Sequence, residues 1–403
     1  MDWRLIDNRF REQECIIFLD SFTKTGEGIV DAYIDFRQSK DLAMFRQIVE
    51  LPENIGTYIE LQSLKSAKRL MRGCYYKLNL TMLKNFTFHR VENSLLIGGT
   101  YDLIKMNMPN NNDTELLQQH EPLKPEDLKH KNTPHELPML ISATDDMRLY
   151  VKDVGQANWN ELRFGKRLVI LYDAGAKLNA SIVEVSSIFE SRKADLELSK
   201  PILVISHWDM DHIHCLKLIA QNDIPKYFSK LICVDKIRSV TAAGIYENFL
   251  KSLGKKNVYC VSPAGRTNGI DMHLWKNMGC ISIYLGEKSR NINYCGMTMF
   301  VKGMQKSAIF TGDCRLTQAK SVYDQELMQG TETHDHVLLA PHHGGDYGAS
   351  SRHYSMPCND VVISVGNNNT YCHPQKDMLR YLRSLCSGRV WRTDKDGDIE
   401  VKL

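Results

Sequence analysis

The chain has 403 residues, of which 43% are hydrophobic and 25% charged, so it is long enough for two domains and can bury a sizeable core. Its formal net charge of +3 at pH 7 indicates no particular class of partner. No apolar run approaches the roughly 20 residues of a membrane span, and residues 1–7 lack the basic and apolar parts of a signal peptide, so we expect no membrane segment. The 11 cysteines show no paired CxxC spacing, which predicts reduced thiols and a cytoplasmic location.

Residues 1–140 are predicted to form a small α+β module that ends in a proline-rich linker at about residues 105–140. Apolar runs predict strands at residues 16–19 and 94–97, and apolar residues at helical spacing predict helices at residues 43–51 and 61–72. The linker contains five prolines and a run of three asparagines, a composition that breaks helices and strands. The sequence does not indicate what the module does, and a protein partner could bind there.

Residues 61–91 contain basic and aromatic side chains but no Asp or Glu. Basic side chains can follow phosphates and aromatic rings can stack on bases, so one interpretation is a nucleic-acid-binding surface that includes Lys68, Arg69 and Arg72. The other interpretation, which we favour, is a solvated basic helix face followed by two half-buried strands.

Residues 141–403 are predicted to form a second domain, which contains the segment SHWDMDH at residues 206–212 directly after the apolar run 201–205. Four potential metal ligands fall within it: His207, Asp209, Asp211 and His212. Imidazoles and carboxylates packed so closely are costly to fold unless a cation neutralises them. The segment therefore predicts a metal site at the end of a buried strand.

Three later segments repeat this arrangement of an apolar run followed by Asp or His. Asp313 ends the segment FTGD, His342 and His343 lie in LLAPHHGG, and His373 follows the run that begins VVISVG at residue 361. Strand ends that meet at one edge of a sheet bring such side chains to one point. We therefore expect all these residues to surround a common site.

Together these motifs resemble the metallo-β-lactamase-fold hydrolases, and within them the soluble hydrolase domain of the bacterial competence DNA-uptake channel and its stand-alone relatives. The resemblance covers roughly residues 146–403 and includes residues 152–156, 168–175 and 392–397. It implies an α/β fold of the αββα sandwich type, with a two-metal site along one edge. The small α+β domain at residues 1–140 precedes this domain and lies outside the resemblance. The DNA-uptake channel is a membrane protein, and only its hydrolase part is represented here.

The resemblance also implies a role for each candidate residue. His207 and Asp209 would bind the first metal, Asp211 and His212 the second, and Asp313 would bridge both, while His342 and His373 would complete the shells. Asp211 would assist the nucleophilic water, and His343 would contact the substrate phosphate or the leaving group. The division between His342 and His343 is open to reversal, because adjacent residues at a strand end differ mainly in direction.

Two departures from the family pattern concern the metals, which we expect to be two divalent cations, manganese or zinc. Asp209 stands where many relatives have a second His, and a hard oxygen donor favours manganese or magnesium over zinc. The His that many relatives carry before the bridging Asp is absent, because residues 291–296 contain no imidazole. The first metal is therefore expected to be held more weakly.

Three functions are compatible with the sequence. The leading one is a phosphodiesterase or nuclease that acts on DNA or RNA, since two cations that share a carboxylate suit in-line displacement at phosphorus. The alternative is a hydrolase of a small phosphoester or cyclic nucleotide, because the fold serves many substrates. A non-catalytic metal-binding scaffold is the third.

Overall fold

The computed structural model describes residues 14–26, 29–49, 59–65, 70, 72–79, 87–90, 104–107, 117–119, 142–144, 146–265, 271–289, 291–328, 335–345, 355–369 and 371–403. The chain divides into two compact units. The first comprises Met1–Lys129 with Ile237–Glu247, and the second comprises His130–Lys236 with Asn248–Leu403. Among the described residues, no helix is long and apolar enough to cross a membrane.

The first unit contains a seven-stranded sheet in the order β5-β6-β3-β2-β1-β4-β7 and a helix, α1 (Ser39–Val49). Its strands are β1 (Glu14–Gly26), β2 (Ile29–Phe36), β3 (Ile59–Lys65), β4 (Cys74–Asn79), β5 (Thr87–Arg90), β6 (Ile104–Asn107) and β7 (Leu117–Gln119). Alternate residues of β1 and β2, such as Ile17 and Ile34, lie in one apolar core, and the residues between them, such as Phe18 and Tyr33, are buried as well. Helix α1 packs on these two strands through Leu42 and Phe45.

The predicted strand at residues 16–19 is confirmed within β1, and most of the predicted helix at residues 43–51 is confirmed by α1. The predicted helix at residues 61–72 is wrong, because residues 59–65 form β3. This strand pairs with β2 on one side and β6 on the other, and pairing on both sides outweighs a weak local helical pattern. The predicted strand at residues 94–97 lies outside the described residues.

Strands β6 and β7 fall inside residues 105–140, which the sequence predicts as a linker. β6 pairs in parallel with β3, and β7 pairs with the edge of β4. Both strands are short, so few consecutive apolar residues mark them in the sequence. Their stability comes from pairing with neighbours that are distant along the chain.

Several side chains of the basic segment 61–91 are already engaged inside the first unit. Tyr76 is 2% exposed and lies in the core. The hydroxyl of Tyr75 donates a hydrogen bond to the carbonyl of Arg238 at 2.9 Å, and Lys77 pairs with Glu14 at 2.7 Å. These side chains therefore have structural partners.

Of the three residues suggested for nucleic-acid binding, the structure describes Arg72. The Arg72 guanidinium donates to the carbonyl of Phe22 at 3.3 Å and lies over its ring at 5.6 Å. Lys68 and Arg69 lie outside the described residues. Nucleic-acid binding by this segment stays a prediction.

The second unit contains two sheets of seven strands each. The first sheet, in the order β13-β12-β11-β10-β9-β8-β21, comprises β8 (Met147–Val151), β9 (Asn160–Phe164), β10 (Arg167–Tyr172), β11 (Ile202–Ile205), β12 (Lys230–Val234), β13 (Val258–Val261) and β21 (Ile399–Lys402). The second sheet, in the order β14 to β20, comprises β14 (Met272–Asn277), β15 (Ile281–Gly286), β16 (Met297–Lys302), β17 (Lys306–Phe310), β18 (Asp335–Leu339), β19 (Asp360–Ile363) and β20 (Val390–Arg392).

The remaining helices are α2 (Ile182–Ser199), α3 (Met210–Ile213), α4 (Ile224–Tyr227), α5 (Val240–Leu253), α6 (Leu316–Leu327), α7 (Lys376–Leu385) and α8 (Thr393–Asp396). Short 3₁₀ turns are formed by His214–Leu218, Gln221–Asp223, Asn293–Cys295 and Pro341–Gly344. Helix α2 begins with a capping box in which Ser181 and Glu184 bind each other's backbone N–H groups.

The two sheets of the second unit face each other and helices cover their outer faces, which confirms the expected αββα sandwich. Between the sheets, the Tyr172 hydroxyl donates to the carbonyl of Met297 at 2.7 Å, and its ring contacts that of Phe310. Helix α2 packs on β10 of the first sheet, while α6 and α7 share an apolar cluster with the second sheet.

Strands β10 to β13 are parallel, and so are β17 to β20. Every residue of β11 is buried, which explains its continuous apolar sequence. The loops that follow β11, β17, β18 and β19 hold the predicted site residues, at the carboxyl ends of these strands.

Candidate metal centre

The first sheet supplies four candidate residues from the loop after β11 and the short helix α3. His207 and Asp209 lie in the loop, and α3 begins at Met210, so Asp211 and His212 occupy its first turn. Gly175, in the loop after β10, approaches this turn so closely that a Cβ there would lie 1.7 Å from the carbonyl oxygen of Asp211. Only glycine fits at this contact, which fixes α3 against the sheet.

The second sheet supplies Asp313 from the loop after β17, and His342 and His343 from the loop after β18. Both histidines adopt the left-handed backbone region, with φ of 50° and 55°. Such a conformation costs on the order of 1–3 kcal/mol for a residue with a Cβ and persists only where its surroundings hold it. Here the backbone N–H of His342 donates to the carbonyl of Gly312 at 3.0 Å, which links the two loops.

Two groups of potential ligands form where the loops meet, each with ligand atoms within 4.8 Å of one another. One group is His207, His212 and Asp313, and the other is Asp211, His212 and His343. The Nε2 atom of His212 lies 3.1 Å from Oδ1 of Asp313. Nε2 of His343 lies 3.3 Å from Oδ2 of Asp211 and 3.8 Å from Oδ1 of Asp313.

Asp209 extends the first group. Its Oδ2 atom lies 3.3 Å from Nε2 of His207, and that nitrogen lies 4.0 Å from Oδ2 of Asp313. Nδ1 of His342 contacts the same Oδ2 atom of Asp313. Asp313 therefore lies between the two groups, and its role as a bridging carboxylate stays a prediction.

The protonation of His207 and His212 follows from a fully buried carboxylate, Asp173. Nδ1 of His212 lies 2.7 Å from Oδ2 of Asp173, and a carboxylate accepts hydrogen bonds, so this nitrogen carries the proton. The Ser206 hydroxyl donates to Asp173 at 2.8 Å and then accepts from Nδ1 of His207 at 3.0 Å. In the neutral form, both histidines present an Nε2 lone pair to the site.

His343 reaches the same state through a backbone partner, because its Nδ1 donates to the carbonyl of Ser364 at 2.8 Å. Several buried atoms that face the centre have no hydrogen-bond partner among the described residues: Nε2 of His207, His212 and His343, Oδ1 of Asp209 and Oδ1 of Asp313. Lone pairs that point at carboxylate oxygens repel each other unless a cation lies between them. The donor set therefore fits divalent metal ions, with the outer nitrogens held in the way usual for metal-binding histidines.

The ionisable groups of the centre strongly shift one another's pKa values. Burial lowers the pKa of His212, but Asp313, Asp173 and Asp211 outweigh it and hold this pKa well above its ordinary value. Burial raises the pKa of Asp211, but His212 and His343 outweigh it and lower that pKa to about 2. Carboxylates this acidic remain ionised at neutral pH and attract cations.

His373 lies beside His342 rather than in either ligand group. The two rings are 5.3 Å apart, and Nδ1 of His373 lies 3.2 Å from Nε2 of Gln156. Asn369 holds the loop through bonds to both the N–H and the carbonyl of His373. The described contacts thus place His373 beside His342, and its role in a metal shell stays a prediction.

The structure favours the reverse division of the histidine pair. His343, assigned to substrate or leaving group, presents Nε2 to Asp211 and Asp313 in the manner of a ligand. His342 contacts Oδ2 of Asp313 through Nδ1. The left-handed backbone at both positions turns the two side chains in directions that the sequence does not reveal.

Two further residues of the centre had no role assigned from the sequence. Asp173 lies in the segment 168–175, directly after the apolar strand β10. Its position at the end of this strand is the sequence signal that identifies it. Asn293 is 6% exposed, and its Nδ2 lies 3.5 Å from Oδ2 of Asp313 and 3.4 Å from Nδ1 of His342. It falls in the stretch where many relatives have a His ligand, so an amide faces the site there.

No protein-family model and no curated protein matches the chain. Among solved structures, the diiron β-hydroxylase CmlA from Streptomyces venezuelae is 13% identical with a TM-score of 0.35, and the match covers 65% of this chain and 55% of CmlA. The chain thus spans about half the length of that protein. The short form of human tRNase Z is 9% identical with a TM-score of 0.35, and the match covers 63% of this chain and 98% of that protein. These likenesses are too weak to support an argument about activity.

Proposed function

We propose that this protein is a metal-dependent hydrolase, and specifically a phosphodiesterase that cleaves DNA or RNA. The observation that carries the proposal is the convergence of three buried imidazole nitrogens, Nε2 of His207, His212 and His343, on buried carboxylate oxygens. The sequence motifs resemble those of the competence hydrolase domain, and this resemblance stays an expectation.

Two cations would have distinct sets of ligands. His207, Asp209 and Asp313 would hold the first, while Asp211, His212 and His343 would hold the second, with Asp313 shared. When bound, such a metal pair lowers the pKa of water and clamps the attacking and leaving oxygens of an in-line displacement. The three carboxylates make the donor set rich in oxygen, which favours manganese over zinc.

The protein's own side chains would orient the reaction. The Asp211 side chain is 22% exposed, against 3% for Asp313, so a carboxylate oxygen of Asp211 can accept a hydrogen bond from incoming water and orient it. Asp173 keeps the proton of His212 on Nδ1, away from the substrate. The Asn293 amide can donate to Asp313 and keep it in place, or to a bound phosphate oxygen.

A small phosphoester or cyclic nucleotide is the second candidate substrate. The observation in its favour is that Tyr75, Tyr76 and Lys77 of the basic segment are engaged within the first unit, which reduces what that segment can offer to a polynucleotide. A vestigial scaffold is less compatible with the site, because a decayed centre would be expected to lose ligands first.

The test is a panel of substrates with the full-length protein, stripped by a chelator and reloaded with manganese or zinc. Single-stranded DNA, duplex DNA, RNA, cyclic nucleotides and bis(4-nitrophenyl) phosphate separate the candidates. Asp211→Asn should abolish hydrolysis, whereas Asp377→Asn, at an exposed position on α7, should not. Cleavage of cyclic nucleotides alone would favour the second candidate, and no hydrolysis with any metal would contradict the proposal.

A further inference from the structure

Arg315 and Tyr294 form a rigid stack in the second unit. The Arg315 guanidinium lies 3.6 Å from the centroid of the Tyr294 ring. Gln318, which is fully buried, holds both residues: its Nε2 donates to the carbonyl of Tyr294 at 2.9 Å, and its Oε1 accepts from the N–H of Arg315 at 2.9 Å. One buried side chain therefore ties together the backbones from which the two stacked side chains extend.

The stack lies beside the candidate metal centre. Arg315 is two residues beyond Asp313, so their Cα atoms are at most about 7.6 Å apart. Tyr294 directly follows Asn293, whose amide faces Asp313 and His342. Both members of the stack are partly exposed, so a bound molecule can reach them.

Arg315 is a charged side chain for which the described part of the chain offers no ion pair. Among the described residues no carboxylate pairs with its guanidinium. Arg389 provides a contrast, since it lies 3.6 Å from the Trp391 ring centroid but also pairs with Asp396 at 2.5 Å. Arg389 precedes β20, at the opposite ends of the parallel strands from the metal centre. Of these two stacked arginines, the one next to the site is thus the one without a carboxylate partner among the described residues.

We propose that Arg315 binds a non-reacting phosphate of a polynucleotide whose neighbouring phosphodiester occupies the metal centre. A guanidinium presents a planar set of donors that matches phosphate oxygens, and stacking on an aromatic ring holds that plane ready. Tyr294 is then a positioning residue. The inference rests on the proposed function and specifies its substrate as one with at least two phosphates, which a single small diester lacks.

Binding is measured in the full-length protein carrying Asp211→Asn, loaded with manganese, with a fluorescent single-stranded oligonucleotide at several salt concentrations. Arg315→Gln should weaken binding about tenfold, the value of one charged hydrogen bond. The slope of log affinity against log salt should become shallower by about 0.7, as expected for one lost phosphate contact. Arg315→Lys should recover part of the affinity, because the charge remains without the planar stack.

Arg389→Gln is the matched control, since it removes an equally stacked arginine remote from the centre and should leave affinity and salt slope unchanged. In the hydrolytically competent protein, Arg315→Gln should lower the ratio of kcat/KM for the oligonucleotide to that for bis(4-nitrophenyl) phosphate by about tenfold. Unchanged binding in Arg315→Gln, an equal loss in Arg389→Gln, or no oligonucleotide binding at all would overturn the inference. Arginine-dependent binding without hydrolysis of any substrate would instead retain the inference and contradict the proposed function.

Discussion

Replacing Asp173 by Asn tests whether this buried carboxylate, which is not itself a candidate ligand, orients the histidines of the metal centre. The carboxylate accepts three hydrogen bonds, from the N–H and hydroxyl of Ser206 at 2.7 and 2.8 Å and from Nδ1 of His212 at 2.7 Å. Asp173 has a φ of 61°, a region that Asn also tolerates, so the backbone can remain in place. The amide keeps the shape but turns one acceptor into a donor.

The expected effects follow from that exchange. In either orientation the amide NH₂ group faces at least one donor, and each hydrogen bond to an ionised group contributes about 1.5–3 kcal/mol, so we expect the free energy of unfolding to fall by about 3 kcal/mol. Because Asp173 fixes the proton of His212 on Nδ1, loss of this outer partner should lower manganese affinity about 10–100-fold.

Calorimetric titration with manganese and urea unfolding of the chelated protein measure the two effects. Asp360→Asn is the control, because Asp360 pairs with Lys306 at 2.8 Å at the start of β19, away from the centre. That variant should lose stability and keep its metal affinity. If Asp173→Asn bound manganese as tightly as the unmodified protein, the idea that Asp173 orients the ligand histidines would be refuted.

Three further predictions concern metal choice, substrate binding and acid stability. After chelation, manganese should restore activity better than zinc at equal free concentration, and Asn293→His should raise zinc affinity in a titration by supplying an imidazole beside Asp313. Asp211→Ala should abolish hydrolysis while nucleic-acid affinity in a filter-binding assay is largely retained. Joint replacement of Lys68, Arg69 and Arg72 by Ala should weaken nucleic-acid binding and make its affinity less dependent on salt. Burial lowers the pKa of His336 to about 4, against an ordinary 6.5. The unfolded chain therefore binds this proton more tightly, so the free energy of unfolding should fall by about 3 kcal/mol between pH 6.5 and pH 4, and His336→Leu should remove that part of the loss in urea titrations.

The sequence predicted most of the second unit because its parallel strands are buried on both faces. Runs such as residues 202–205 and 361–363 are continuously apolar, and the ligands follow them directly. The order of these runs was enough to predict that Asp211, Asp313 and His343 converge. In the first unit, β3 was missed because its pairing partners are far apart along the chain.

What the sequence could not predict is the direction in which individual side chains of the site point. Which ring of the pair His342 and His343 faces Asp211 depends on two left-handed backbone conformations, and neither residue type announces them. The role of Asn293 depends on how a short 3₁₀ turn delivers it to Asp313, a contact that exists only once two loops meet. Such choices are made by tertiary packing, so local residue patterns do not determine them.

The single outer carboxylate also has a consequence for how metals bind. Through Ser206, Asp173 holds Nδ1 of His207, and it holds Nδ1 of His212 directly, so one residue orients a ligand in each of the two groups. A cation that binds one of these two imidazoles therefore also orders Asp173 and Ser206, which hold the second imidazole. Less conformational entropy is then lost when the second cation binds. The two metal sites should consequently fill with positive cooperativity, and Asp173→Asn should lower the affinity of both sites together rather than of one alone.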